Sequence, residues 1–349
     1  MSQLPSSMRA WVYRKSGPVD KVLKLEKGYP MPVVKNYPIV IKVHSVGLNP
    51  VGYKIISEIP FFLTKKPGVP EQDFSGTIAG GDLSGTDFKI GDEVFGALPA
   101  DKGQMPKGVG ALAEYTVAHP KLLAHKPKDL SFAEAAAITL TGITAHITLV
   151  KKGHAKFGER VLINGGTSGV GILAIQMAKA IGCYVVVTCS SASFDLVKSL
   201  GADEVIDYKQ GKLTDTLAEK YGDKRFDLIF DTIGVPAVYS YCGGYIKPNG
   251  RYLNISMPTD TLYSAISSAL HILYSKVVPT FLGGPPVPLQ LIMSNLEGEA
   301  DSLKQITQWM EEGKLKPVID SEYSFEDSLK ASQRIRSHRA KGKVIVNVA

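Results

Sequence analysis

Cysteine is scarce. The three in 349 residues, Cys183, Cys189 and Cys242, have neither the number nor the spacing of a disulfide framework or a zinc knuckle. A reducing compartment is the simplest consequence. Long apolar runs are missing too: the nearest approach, residues 265–282, is interrupted by His271, Lys276 and Pro279, so no membrane span is expected. The opening residues, MSQLPSSMRAWVYRKSG, contain no apolar stretch of secretory length and no extended arginine- and serine-rich presequence, which makes the expected location cytoplasmic. Extremes of composition are absent as well. With 44% hydrophobic and 21% charged residues, 34 Gly and 21 Pro, the chain is not disordered, collagenous or a coiled coil. The one imbalance is charge, 40 basic against 33 acidic residues for a net +7, which suits a nucleic acid, an acidic membrane or a small phosphorylated ligand. Nothing but that excess favours nucleic acid, so none is expected as a partner. The basic cluster Arg334, Arg336, Arg339, Lys341 and Lys343 reads as a solvated face.

What is present is a change of period along a chain long enough for two cores. From Ala10 to about His125, short β-branched runs such as AWVY, PIVIKVHSVG and AEYTVA are cut by glycine and proline, which predicts a mostly antiparallel β domain. After Lys126-Pro127, Ser131 stands three residues before Glu134 at the head of an alanine-rich segment, the pattern of a capping-box helix start. From Arg160 strands and helices alternate, which predicts a parallel sheet covered on both faces. A further strand near 281–284 is expected to end that sheet. Helices over 301–312 and 325–336 and the strand KVIVNV are expected to return to the first domain. The expected domains are thus residues 1–126 with 286–349, and residues 127–285.

The most informative stretch is VLINGGTSGVG (161–171). An apolar strand feeds a glycine-rich turn that opens a helix, so backbone N–H groups and the positive helix end converge on one point, which suits a pyrophosphate. Gly166 and Gly171 hold the outer positions of a G-x-G-x-x-G pattern, Ser168 takes the middle one, and Thr167, Gly169 and Val170 complete the turn. A side chain at Ser168 either pushes the pyrophosphate back slightly or bonds it through the hydroxyl. About 20 residues beyond the loop, where an NAD site places Asp or Glu against the ribose, the chain reads Thr188-Cys189-Ser190-Ser191-Ala192-Ser193. Ser190, Ser191 and Ser193, with Lys198 one helical turn on and Tyr208 closing the next strand, suit a 2′-phosphate and point to NADPH. Alternatively the serines cap the following helix. Ile233 and Gly234 fall at a strand's carboxyl end, where cofactors bind.

These phrases, together with VGLNPVGYK (46–54), DFSGTIAG (73–80), KIGDEVFG (89–96), GALAEY (110–115), AAAITLTGITAH (135–146) and LGADEVIDY (200–208), carry a family likeness over essentially the whole chain. The sequence resembles the zinc-independent quinone oxidoreductase and enone or enoyl reductase branch of the medium-chain dehydrogenase/reductases, and looks closest to its fungal members. The resemblance implies an α/β protein with a GroES-like β-rich catalytic domain and a Rossmann domain, a doubly wound parallel sheet, inserted within it. As in many relatives, a homodimer is expected, paired through an edge strand near 277–282, the alternative being a monomer. By the same resemblance Thr141 lies beside the nicotinamide, or else packs in the core, and Leu282 and Gly283 approach the carboxamide through their backbone, or else form a simple sheet-edge turn.

The likeness also frames the chemistry. Where zinc-dependent relatives have their first cysteine ligand this chain has Asn49, and their Gly-His-Glu is replaced by Glu71-Gln72-Asp73, so no metal is expected. Without a Lewis acid, direct carbonyl reduction loses its polariser, whereas hydride delivery to a quinone or to the β-carbon of an enone needs a positioned acceptor and a proton source. Asn49 is assigned to orient nicotinamide or substrate. Tyr53 is assigned to donate a hydrogen bond or proton, the alternative being that it packs against the Asn49-Pro50 turn. The family often has Asp where Gly52 stands, which puts that carboxylate's role in question. His44, His119 and His125 read as structural. The function expected is an NADPH-dependent reductase of small-molecule quinones or enones. The alternatives are a trans-acting enoyl-thioester reductase and a homologue that binds or senses NADPH without turnover.

Overall fold

In the computed structural model, which describes residues 4–33, 36–58, 66–98, 108–256, 285–292, 296 and 298–349, the β-branched runs of the first third become strands. They are β1 (Ser7–Tyr13), β2 (Leu23–Pro30), β3 (Ile39–Gly47), β4 (Asp73–Gly81), β5 (Glu93–Ala97), β6 (Tyr115–Ala118) and β7 (Leu123–His125). Between them stand α1 (Val19–Val22) and α2 (Pro50–Ser57), and after them α3 (Phe132–Ala136) and α4 (Thr139–His146). The middle of the chain alternates β8 (Arg160–Asn164), α5 (Gly169–Ile181), β9 (Tyr184–Cys189), α6 (Phe194–Ser199), β10 (Glu204–Asp207), α7 (Leu213–Tyr221), β11 (Phe226–Asp231), α8 (Pro236–Ser240), β12 (Ile246–Asn254) and β13 (Leu289–Leu291). Last come α9 (Ala300–Glu311), β14 (Ile319–Ser324), α10 (Ser328–Arg336) and β15 (Lys343–Asn347).

These elements form two units. The first comprises Met1–Ile143, Asn295–Gly313 and Pro317–Ala349, and the second Thr144–Ser294 with Lys314–Lys316. The division after Ile143, rather than after 126, has a local cause: α3, opened by the Ser131–Glu134 capping box, packs on β3 and β4. The C-terminal helices and strand do return to the first unit, whereas the second boundary falls at 294 rather than 285.

In the first unit a seven-stranded sheet runs β14-β15-β3-β4-β5-β7, with β6 also pairing β3, beside the separate pair β1-β2. Period-two burial drives it: Ile39, Ile41 and Val43 of β3 point into the apolar core while Lys42 points out. The C-terminal strand β15 lies antiparallel to β3, with Ile345 opposite Gly47, and β3 lies antiparallel to β4, with Gly47 opposite Asp73. That double register decides the polar site below.

The second unit has the strand order β10-β9-β8-β11-β12-β13, all parallel. Its central strands are nearly continuous apolar runs because helices cover both faces. This is the doubly wound order of a dinucleotide-binding sheet, and the order reverses between β8 and β11, where ligands bind at strand carboxyl ends. The strand expected at 281–284 and the edge expected at 277–282 lie outside the described residues. Among the described residues no helix is long and apolar enough to cross a membrane.

Candidate functional site

At the reversal point of the second unit, β8 ends at Asn164 and α5 begins at Gly169. Ser168 is the N-cap, its Oγ accepting the Gly171 N–H at 2.9 Å and donating to Thr232 Oγ1 at 3.1 Å. The hydroxyl is thus engaged in capping and in holding the β11 end, not free for a phosphate as one reading of the sequence had it. The first-turn N–H groups of Gly169 and Val170 have no carbonyl four residues back within the helix and are the donors a phosphate would take. Gly166 is buried while Thr167, Ser168, Gly169 and Val170 are partly accessible. A Cβ on Gly171 would overlap the Gly165 carbonyl oxygen and stand 2.9 Å from Gly166 Cα, so glycine there permits the close helix–turn approach.

A buried network that sequence reasoning missed braces this turn. Asp231, at the end of β11, accepts Asn164 Nδ2 at 2.8 Å, the N–H groups of Ile233 and Gly234 at 3.0 Å each, and the Tyr252 hydroxyl at 2.7 Å. Burial and the neighbouring Asp231 hold the Tyr252 hydroxyl well above its usual pKa, so it stays a donor. Thr188 joins β9 by donating to Asn164 Oδ1 at 2.6 Å and accepting the Gly165 N–H at 3.0 Å. A carboxylate ending an otherwise apolar strand, FDLIFD, was the available signal.

At the β9 tip no carboxylate intervenes between Cys189 and Phe194. Ser190 and Ser193 occupy N-cap positions yet neither makes a side-chain cap bond, so capping does not account for their hydroxyls. Ser191 and Lys198 are exposed, Ser190 is partly so, and Ser193 is buried, which removes it as a ready phosphate contact. Tyr208 is exposed beyond the end of β10, with Lys209 Nζ 6.0 Å from its ring centre. Ile233 is exposed at the end of β11. Leu282 and Gly283 lie outside the described residues.

The first unit holds a second polar site. The register that sets Ile345 opposite Gly47 carries Lys343 to Asn49, and the Leu48 N–H donates to the Val344 carbonyl at 2.9 Å. Lys343 is 5% exposed and Asp73 wholly buried, and their Nζ–Oδ2 distance is 2.9 Å. This corrects the reading of Lys343 as part of a solvated face, because β15 is an internal strand. Arg334 of the same cluster is likewise committed, to Asp320 at 2.6 and 2.7 Å. Lys343 also donates to Asn49 Oδ1 at 2.8 Å, Asn49 Nδ2 donates to Asp73 Oδ2 at 3.0 Å and to the Gly47 carbonyl, and the Leu140 N–H donates to Asp73 Oδ1 at 2.8 Å. The Asn49 amide is therefore committed within this unit, and bracing replaces the direct nicotinamide or substrate contact assigned from sequence. Gln72, in the histidine ligand's place, donates to the Leu98 carbonyl at 2.7 Å.

Tyr53, one residue into the second half of the first turn of α2, packs its ring in the apolar core. The Thr141 hydroxyl donates back to the Ala137 and Ile138 carbonyls at 3.1 and 3.3 Å and is buried, the geometry of a helix-interior threonine. His44 stacks on Phe132, and His119 Nδ1 accepts the Lys121 N–H, both structural roles. Burial holds both imidazoles below their usual pKa, with Lys42 adding to the effect at His44 and Lys121 at His119.

Glu71 is the electrostatic outlier. Burial pushes its carboxyl up to about 8; the Asn49 N–H at 2.9 Å and Lys343 oppose the rise, and Asp73 adds to it. The folded chain thus keeps a proton that the unfolded chain releases above about 4.5. The stabilisation from that proton is full below 4.5, falls as pH rises, and is gone above about 8. Glu71→Gln, which imitates the protonated form, is expected to match the native protein near pH 5 and to unfold at higher urea than it by pH 9. Parallel urea midpoints across that range would contradict the assignment.

The family model described as "Alcohol dehydrogenase GroES-like domain" matches residues 35–128, and that described as "Zinc-binding dehydrogenase" matches residues 200–346. The chain is 35% identical to a trans-enoyl reductase of Aspergillus terreus, over 99% of this chain and 98% of that one. It is 34% identical to an NADPH-dependent alkenal/one oxidoreductase, chloroplastic, of Arabidopsis thaliana, over 99% of this chain and 81% of that one. Among solved structures, the quinone oxidoreductase from Coxiella burnetii superposes with a TM-score of 0.77 at 26% identity, covering 98% of this chain and 99% of that one.

Proposed function

The chain belongs to the medium-chain dehydrogenase/reductase family, in its quinone oxidoreductase and enone reductase branch, and binds a nicotinamide cofactor; from this we propose that it is an NADPH-dependent reductase of quinones or of the C=C bond of α,β-unsaturated carbonyls, working without zinc. The observation that carries the zinc-free reading is the donor set. At the positions of the metal-binding relatives' ligands stand two amides, Asn49 and Gln72, each already committed to hydrogen bonds with protein groups. Amides in that state do not fit a zinc site that needs Cys, His or carboxylate donors.

When bound, NADPH supplies a hydride. The chain's part is to hold and to protonate. The first turn of α5 presents its N–H groups to the pyrophosphate, and Asp231, Asn164 and Thr188 fix that turn against the strand ends. Ser190, Ser191, Lys198 and Tyr208 are the groups for the 2′-phosphate, since the β9 tip has hydroxyls and a nearby cation where a carboxylate would repel it. Tyr53 is the proposed donor to the oxygen that gains charge on reduction. NADPH is expected to bind at least about tenfold more tightly than NADH, about 1.4 kcal/mol, and Ser191→Asp to reverse that order. Titration of each nucleotide by calorimetry decides it, and equal affinities would sink the 2′-phosphate assignment.

A second reading, reduction of an enoyl group carried as a thioester, is favoured by the name of the Aspergillus relative. The same NADPH-oxidation assay separates the two if quinones, enones, enoyl thioesters and saturated aldehydes are compared. Strong turnover of saturated aldehydes would overturn the conjugate-reduction reading altogether. The homodimer and the cytoplasmic location belong to this proposal too, with light scattering and cell fractionation as their tests.

A further inference from the structure

Helix α2 starts without the usual help. Its N-cap is Asn49, whose side chain makes no cap bond because it is turned into the Lys343–Asp73 pair. Its third helical position, from which a glutamate ordinarily reaches back to the N-cap N–H, is Gly52. That N–H is nevertheless satisfied: Glu71, from the loop before β4, accepts it at 2.9 Å. The carboxyl occupies the very volume a residue-52 side chain would need, since a Cβ built on Gly52 would overlap it, 2.6 Å from Oε2. Glu71 reaches this place from a backbone angle, φ 69°, that a side-chain-bearing residue seldom adopts. An empty third position, a strained acceptor residue and one shared volume are three separate observations with one explanation.

We propose that Glu71 is a positioning residue that completes the N-terminal cap of α2 from a distant part of the chain, standing in for the side chain that Gly52 lacks and so fixing the segment from Asn49 to Tyr53. Its connection to turnover rests on the reading of Tyr53 as proton donor; its connection to the cap does not. The charged groups facing the carboxyl are Asp73 from β4 and Lys343 from β15. They bear on its protonation but are not the reason for its place.

The test is a relocation. Three variants of the full chain are compared with the native protein: Gly52→Glu, Glu71→Gly, and both together. Gly52→Glu alone is expected to be strongly destabilised, because two carboxyls would contend for one site. Glu71→Gly is expected to fold, glycine being at ease at that φ, to retain NADPH affinity, and to lose about tenfold or more in kcat through misplacement of Tyr53. The double variant is expected to be more stable than Gly52→Glu alone and to recover kcat to within about threefold of native. If Gly52→Glu is equally costly with and without Glu71→Gly, the two do not share a volume and the proposal fails. If Glu71→Gly leaves both kcat and urea midpoint unchanged, the carboxyl positions nothing. If the native protein turns over no quinone, enone or enoyl thioester, the reductase reading fails, and the non-additivity in urea midpoint still decides the cap.

Discussion

Lys343→Met is expected to lower the stability of the first unit by about 3–5 kcal/mol, the cost of leaving one member of a buried ion pair alone. The size follows from burial. Asp73 has no exposed surface, and the pair lies at 2.9 Å between two internal strands. Removing the ammonium leaves the Leu140 N–H and the Asn49 amide to hold the carboxylate, and also strips Asn49 Oδ1 of its donor. Methionine fills the volume, so a cavity is not what is measured. Trp11 and Trp309, the only tryptophans, both belong to this unit, so their fluorescence during urea unfolding reports on it. Adding Asp73→Leu to Lys343→Met is expected to recover part of the loss, because an apolar pair no longer buries an unmatched charge. A loss under about 1 kcal/mol, the value for an exposed pair, would show that water reaches the site.

The second large effect belongs to the other unit. Gly171→Val is expected to weaken NADPH binding about 100-fold or more, about 2.7 kcal/mol, with little change in tryptophan fluorescence. A side chain there meets the Gly165 carbonyl oxygen and the Gly166 backbone, neither of which yields as a flexible side chain would. Helix α5 must move off the turn, and its first-turn N–H groups retreat from the place proposed for the pyrophosphate. Calorimetric titration of NADPH into native and variant protein measures this directly. An affinity within about threefold of native would mean that the nucleotide is held by something other than this turn.

Much of the second unit was legible because its signals are local. The strand, the glycine turn and the helix lie within residues 161–181, and a reader needs only their order to place the turn at the helix start. The serine-rich β9 tip was equally plain. What escaped was which groups are used up: the Ser168 hydroxyl by the helix cap, Ser193 by burial, and Asp231 as the brace of the whole turn. Hydrogen-bond partners drawn from four strands leave no trace in the spacing of any one of them. In the first unit the sequence pointed to Asn49 through what it replaced, but misjudged its role, since its partners lie 24 and 294 residues away.

By itself the sequence determined the class of chemistry. Amides at 49 and 72, where the zinc-dependent relatives have cysteine and histidine, argue for zinc-free chemistry, and the strand–turn–helix at 161–181 suits a nucleotide phosphate, because both signals depend on side-chain identity and on backbone geometry between neighbours. Only the tertiary structure decided the fate of the charges. Lys343 reads as a solvent-facing lysine until β15 is laid on β3 and β3 on β4, and Glu71 reads only as part of a replaced metal motif until the start of α2 is folded over it. Burial is a property of the assembled strands, and it is burial that turns a surface cation into one half of an ion pair and a carboxylate into a protonated cap.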